Sequence, residues 1–289
     1  MKFGLAFASG VGVDAASAID IAKRAEAAGF DSVWGGEHVV MPAKIESEYP
    51  YTPDGKVPAT PDTQILDPLI WLAYVAAAAP TLQLGTCILV LPQRNPVILA
   101  KELSTLDVLT EGRVELGIGV GWMKEEFDAI GVPWERRGAR NDEYIEAMRA
   151  LWANDMAEYH GDFVDFPLVS CTPRPINGDI PIIVGGDTDV AIRRAAKYAN
   201  GFFPGTGNPE HLQSLRQKLD VELAKYDREA GSVKINAMFT EQMADPAAGA
   251  AQMAEAGVDR LMLPAFFFAG PGGLDRLSEF GETIIKQTK

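Results

Sequence analysis

Glu37 and His38 stand side by side in the stretch WGGEHVVMP, Trp34–Pro42. An imidazole exchanges a proton near neutral pH, and an adjacent carboxylate can tune or orient it. A hydrogen-bonded structural histidine is the alternative reading of His38. The other two histidines, His160 and His211, fall in a hairpin-like stretch and a surface helix, and neither is assigned a role. Glycines gather at Gly35-Gly36, Gly117–Gly121, Gly185-Gly186 and Gly205–Gly207. They let a flat ligand or a phosphate approach the backbone, and a helix opening after Gly186 offers free N–H groups to an anion. A tight turn explains any one of them, whereas several on one face favour a large ligand. Trp34 and Trp122 either line a ring-binding cleft or pack in the core. The run ERRGAR (Glu135–Arg140) reads as a solvated helix start. In so acidic a chain, Arg94, Arg136, Arg137 and Arg140 are also candidates to meet an anionic ligand tail. No His/Asp/Glu trio has metal-ligand spacing and no Gly-x-Ser-x-Gly elbow is present, so no metal site is assigned.

These residues need a scaffold that brings them to one face. Eight short β-rich runs recur: Phe3–Phe7, Ser32–Trp34, Leu82–Leu91, Arg113–Gly117, Ile180–Val184, Gly201–Phe203, Val233–Phe239 and Arg260–Leu263. Helical patterns lie between them, over Ala15–Ala28, Pro68–Ala79, Val97–Leu109, Arg140–Trp152 and Pro209–Ala230. Asp67-Pro68, Asn95-Pro96, Asn208-Pro209 and Asp245-Pro246 each read as a helix N-cap followed by proline. Gly29 and Gly257 read as helix C-caps before a strand. Strand–helix alternation implies parallel strands with crossover helices, and eight units imply an α/β fold of the closed (β/α)8 TIM-barrel type. A doubly wound open sheet is the alternative, with Ser9–Asp14 as a weak glycine-rich first turn. The chain is read as one domain over 1–289 with insertions at about 39–66 and 155–179. The first carries five prolines and the second an alternating hairpin pattern, YHGDFVDFP. Long loops in a compact domain commonly cover a site. Gly85-Thr86-Cys87 interrupt the third strand, where small residues forfeit packing, and so mark a bulge or a close approach.

Composition narrows the classes of function. The chain has 289 residues, is 47% hydrophobic and carries a net charge of −14. Such a field repels phosphate backbones, which argues against nucleic acid as a partner. No apolar run is long enough for a membrane span, and the first residues are too short and too soon acidic for a signal peptide. Two cysteines without a Cys-x-x-Cys pair fit a reducing cytoplasm.

Three blocks, AEAAGFDSVWGGEHVVMP (Ala25–Pro42), LGTCILVLPQRNPVILAKELSTLDVLTEGRVELGIGVGWMKEEF (Leu84–Phe127) and PIIVGGDTDVAIRRAAKYANGFFP (Pro181–Pro204), carry a family resemblance. The chain resembles the bacterial-luciferase-like flavin and deazaflavin oxidoreductases, and most closely the actinobacterial group that uses coenzyme F420. The resemblance implies a TIM-type barrel with the cofactor ring across the strand tips, and a homodimer. It implies a non-proline cis peptide in strand three, which maps to Cys87–Ile88 behind the ring. Glu37 and His38 match the acidic-His pair of the family, the His catalytic and the acid a cofactor contact or orienter. Gly119, Val120, Gly121 and Trp122 match the loop beside the ring. Gly185, Gly186 and Asp187 match the loop that receives the phosphate-bearing tail, with Gly205 and Thr206 as neighbours. The family's glucose-6-phosphate dehydrogenases place a Glu at Val120 and a Trp at Pro42, so sugar-phosphate oxidation is not expected. The implied activity is F420-dependent hydride transfer to or from a small organic substrate, with 39–66 as a lid. An FMN-dependent monooxygenase is the alternative, and a non-catalytic flavin- or deazaflavin-binding protein the further one. Phe266-Phe267-Phe268 hints at an apolar substrate wall, with core packing the use read for at least two of its rings.

Overall fold

Near-continuous Val, Ile and Leu runs bury both strand faces, as parallel strands covered by helices require. The computed structural model describes residues 1–11 and 13–288; Gly12 of the Ser9–Asp14 turn lies outside them. The strands are β1 (Lys2–Ala6), β2 (Ser32–Gly35), β3 (Gln83–Thr86), β4 (Leu89–Val90), β5 (Val114–Gly119), β6 (Ala157–His160), β7 (Asp165–Val169), β8 (Ile182–Gly185), β9 (Gly201–Phe203), β10 (Lys234–Met238) and β11 (Arg260–Pro264). Parallel pairing runs β3-β2-β1-β11-β10-β9-β8-β5-β4, and β3 also pairs with β5. The sheet therefore closes on itself. With β3 and β4 forming one interrupted strand, this is an eight-stranded α/β barrel. β6 and β7 form a separate antiparallel hairpin within residues 155–179.

The helices are α1 (Ala15–Ala27), α2 (Pro68–Ala76), α3 (Pro96–Leu109), α4 (Lys124–Ala129), α5 (Arg137–Ala153), α6 (Asp189–Tyr198), α7 (Pro209–Ala224), α8 (Pro246–Glu255) and α9 (Gly273–Phe280). The proline-marked starts hold. The side chains of Asp67, Asn95, Asn208 and Asp245 each accept hydrogen bonds from amides of the first turn. α7 ends at Ala224, short of the expected Ala230. Asp227 there turns left-handed, and Arg228 donates back to the carbonyls of Ala196 in the last turns of α6 and Ala199 just beyond it. α4 was not anticipated.

Strand three is the departure from regularity. The expected single run Leu82–Leu91 splits into β3 and β4, and the Cys87–Ile88 peptide between them is cis. Gly85 faces Glu115 and Leu89 faces Ile118, so strand three carries one residue more than its partner over this span, as in a bulge. Its small residues have internal causes. A Cβ at Gly85 would lie 2.1 Å from Cε3 of the fully buried Trp34. Thr86 Oγ1 donates to the Gly117 carbonyl at 2.6 Å. The bulge read for this strand is present, and the close approach at Gly85 is that of the Trp34 indole. Deeper in the barrel, Arg260 forms a bidentate pair with Glu115 at 2.7 and 2.8 Å, its guanidinium 5.2 Å from the Trp34 ring.

Candidate functional site

Parallel pairing brings every C-terminal strand end to one opening. Its floor is apolar: Ala6, Trp34, Cys87, Ile183, Phe203 and Met262 form a buried cluster, with Phe7, Ile88 and Met238 packed against it. Burial pushes the Cys87 thiol up to about 12, and its sulfur accepts the Phe7 N–H at 3.4 Å, so it is no thiolate. Ile88 projects toward β5 and β8. A Cβ at Gly119 would lie 2.1 Å from its Cδ1, and one at Gly185 3.0 Å. These two glycines make room for Ile88.

His38 lies just past β2, with 18% of its side chain exposed. Its Nδ1 sits 3.3 Å from Oε2 of Glu126 on α4. Glu126 also accepts the Val39 N–H at 2.5 Å. Burial alone would raise the Glu126 carboxyl, but the His38 imidazole and the Val39 amide outweigh it and hold it below the usual carboxylate range. The neighbour in sequence, Glu37, turns elsewhere. It accepts the Val90 N–H at 2.6 Å and the Arg94 Nε–H at 2.8 Å, and Arg94 Nη2 reaches both Glu37 and Asp67 Oδ2. Burial pushes the Glu37 carboxyl up against the pull of that guanidinium. The orienting carboxylate of His38 is therefore Glu126, because consecutive residues of an extended chain project to opposite sides.

Residues 39–66 contain no helix or strand and cross the opening. Glu125 anchors them, accepting the Glu46 N–H at 2.6 Å, the Ser47 N–H at 3.0 Å and the Ser47 hydroxyl at 2.7 Å. Slight burial would raise its carboxyl; the hydrogen bonds take it down to about 2. Above the anchor, Trp122 meets His38 at 6.0 Å and Tyr49 at 5.0 Å, both edge-on, and Tyr49 meets Tyr51 at 5.4 Å. Tyr51 lies on Gly205, where a Cβ would be 1.9 Å from its Cε1. Burial, with Asp187 and Tyr49 adding, pushes its hydroxyl up to about 12.

A family model described as luciferase-like monooxygenase matches residues 1–287. The chain belongs to the luciferase-like monooxygenase family. An uncharacterized Mycobacterium tuberculosis protein is 39% identical over 197 residues, 68% of each chain. The coenzyme F420-dependent tetrahydromethanopterin reductase of Methanopyrus kandleri superposes with a TM-score of 0.78 over 100% of this chain and 99% of that one; at 17% identity the likeness is one of fold. An FMNH2-dependent dimethylsulfone monooxygenase of Pseudomonas putida is 33% identical over 144 residues, 49% of this chain and 39% of its own.

In this luciferase-like barrel, Glu37, His38, Cys87, Ile88, Gly119, Val120, Gly121 and Trp122 gather on the β2–β5 side of the opening. Gly185, Gly186, Asp187, Gly205 and Thr206 lie on the β8–β9 side, with Tyr51 reaching them. Gly186 takes a positive φ of 103° and donates to the Phe203 carbonyl at 3.1 Å. Asp187 faces His211 Nε2 at 3.8 Å, and Thr206 Oγ1 accepts the Asn208 N–H at 3.1 Å. Of the four arginines, Arg94 is taken by Glu37 and Asp67, Arg136 by Asp162, and the buried Arg140 by the Pro133 and Glu135 carbonyls. Arg137 lies 3.5 Å over the Trp134 ring and donates to the Gly121 carbonyl; among the described residues it has no carboxylate partner. Sequence reasoning missed Glu125, Glu126, Tyr49 and Tyr51. The adjacent acids of KEEF, at a helix start directly after the Trp122 loop, were the available signal for the first two. The Pro-flanked EYPYTP was the signal for the tyrosines.

Proposed function

We propose that this chain is an F420-dependent oxidoreductase that moves a hydride between the deazaflavin and a small organic substrate. The observation that carries the reading is His38, held by a buried carboxylate at the rim of an apolar floor. The donor set fits the cofactor. The floor suits the apolar face of a tricyclic ring, with Cys87, Ile88, Gly119, Val120, Gly121 and Trp122 around it. Gly185, Gly186, Asp187, Gly205 and Thr206 would border the phosphate-bearing tail, and Arg137 supplies a cation for it. A deazaflavin bound there would supply the hydride chemistry. His38 holds or moves the accompanying proton at Nε2, since Nδ1 is engaged by Glu126. Glu37 secures the strand-two tip to Val90 and Arg94. Residues 39–66 exclude water as a lid.

The relative from Pseudomonas putida favours a second reading, an FMN-dependent monooxygenase. Titrating the pure protein with F420 and with FMN separates the two. Tighter F420 binding is expected. Tighter FMN binding with substrate-dependent oxygen uptake would move the assignment to the monooxygenase, and binding without turnover on a broad panel would leave a carrier. We further propose one domain over 1–289, acting in the cytoplasm as a homodimer, for which light scattering is the test of assembly.

A further inference from the structure

The β6–β7 hairpin stands outside the barrel, yet its turn reaches back to the start of α5. One carboxylate fastens that turn. Glu143 accepts the Asp162 N–H at 3.1 Å and the Phe163 and Val164 N–H groups at 2.7 Å each. Gly161 admits the carboxylate, since a Cβ there would lie 2.2 Å from Glu143 Oε1. So held, the turn presents two side chains to α5. Asp162 Oδ2 accepts from Arg136 Nη2 at 2.7 Å. The guanidinium carbons of Arg136 and Arg140 lie 4.6 and 5.2 Å from the centre of the Phe163 ring.

Arg136 needs such support. It is the residue from which α5 opens, its backbone is left-handed with φ 56° and ψ 18°, and its side chain caps no helix amide. A residue other than glycine is disfavoured in that region and persists where its surroundings hold it. Its charge also stands four residues from that of Arg140, and like charges at this spacing repel. Phe163 and Asp162 hold the Arg136 side chain and offset its charge. The reversal at Arg136 lays the Arg137 guanidinium 3.5 Å over the ring of Trp134, three residues earlier, with its Nε–H on the Gly121 carbonyl at 3.3 Å. Trp134 in turn meets Phe127 of α4 edge-on at 5.2 Å. Contacts thus run unbroken from the hairpin turn to the Gly121-Trp122 loop of the opening. Relaxation of Arg136 to a right-handed or extended backbone would part Arg137 from Trp134.

We infer that Phe163, helped by Asp162, is a positioning residue for Arg137: the hairpin turn fixes the left-handed start of α5 and so aims that guanidinium at the rim of the site. This rests on the reading that gives Arg137 to the phosphate-bearing tail of the cofactor.

The test is calorimetric titration of Phe163→Leu, Phe163→Tyr and Asp162→Ala with whichever of F420 and FMN the native protein binds tighter. Phe163→Leu is expected to weaken binding about fivefold, as loss of a partly desolvated cation–π contact implies, and Phe163→Tyr to keep it. In an Arg137→Ala background Phe163→Leu should cost nothing further, because the two act through one guanidinium, whereas a ring that only supports the fold would cost the same in either background. Undiminished affinity in Phe163→Leu, or an equal loss in both backgrounds, overturns the inference. If Phe163→Leu does not fold, Asp162→Ala takes its place in the same comparison, with a loss of about twofold expected. If neither F420 nor FMN binds, the proposed function fails by that result alone. Phenylglyoxal labelling then decides the positioning separately. Modification of Arg137, located by fragment mass spectrometry and referred to the half-exposed Arg24, should be about fivefold faster in Phe163→Leu than in native protein and unchanged in Phe163→Tyr. Equal rates in native and Phe163→Leu protein overturn the inference.

Discussion

Replacing Glu126 by Gln sets an amide beside His38 in place of a carboxylate. The Val39 amide keeps an acceptor, but the imidazole loses its anionic partner. We expect kcat and kcat/KM to fall together by about tenfold in steady-state kinetics, with cofactor affinity unchanged. His38→Ala should cost about 10²–10⁴ in kcat; unchanged turnover would remove the proton role. Cys87 offers a different check. Its thiol, pushed to about 12 by burial, should resist iodoacetamide near pH 8, while the half-buried Cys171 reacts. Intact mass should show one adduct. The Glu37-His38 pair was visible in the sequence because one of only three histidines stood directly beside a carboxylate. The true partner of His38 was not, since Glu126 is 88 residues away and meets it only through the fold.

Strand three and the lid are the elements that shape the opening. Gly85→Ala would drive a methyl into the Trp34 indole, so a loss of about 1–3 kcal/mol is expected in urea denaturation. The lid depends on Glu125. Its carboxyl is depressed in the folded protein, so its contribution is fully present above the ordinary value of 4.5 and is lost as pH falls toward about 2. Amide exchange at Glu46 and Ser47 should accelerate across that window, and Glu125→Ala should show the faster exchange at neutral pH. The helix starts were legible because Asp-Pro and Asn-Pro are local signals. The interruption at Cys87–Ile88 followed from family resemblance; periodicity revealed only an anomalous run. α4 escaped because six residues with polar faces give no apolar period, and the lid because irregular chain has no period at all.

At the scale of the whole molecule, closure of the sheet buries the Arg260–Glu115 pair at its centre. Glu115→Ala would leave the guanidinium buried and unpaired, so the barrel should lose about 3–5 kcal/mol by chemical denaturation. Eight strand–helix units were readable from alternation alone, yet nothing in it could say which tips meet across the ring. Arg94 carries a consequence at this scale. By holding Glu37 and Asp67 at once, it fastens the two roots of the 39–66 excursion to a single guanidinium. A loop tied at its base adds little closure entropy when its length changes. This covering segment can therefore change in length at little thermodynamic cost while the bedrock beneath keeps its shape.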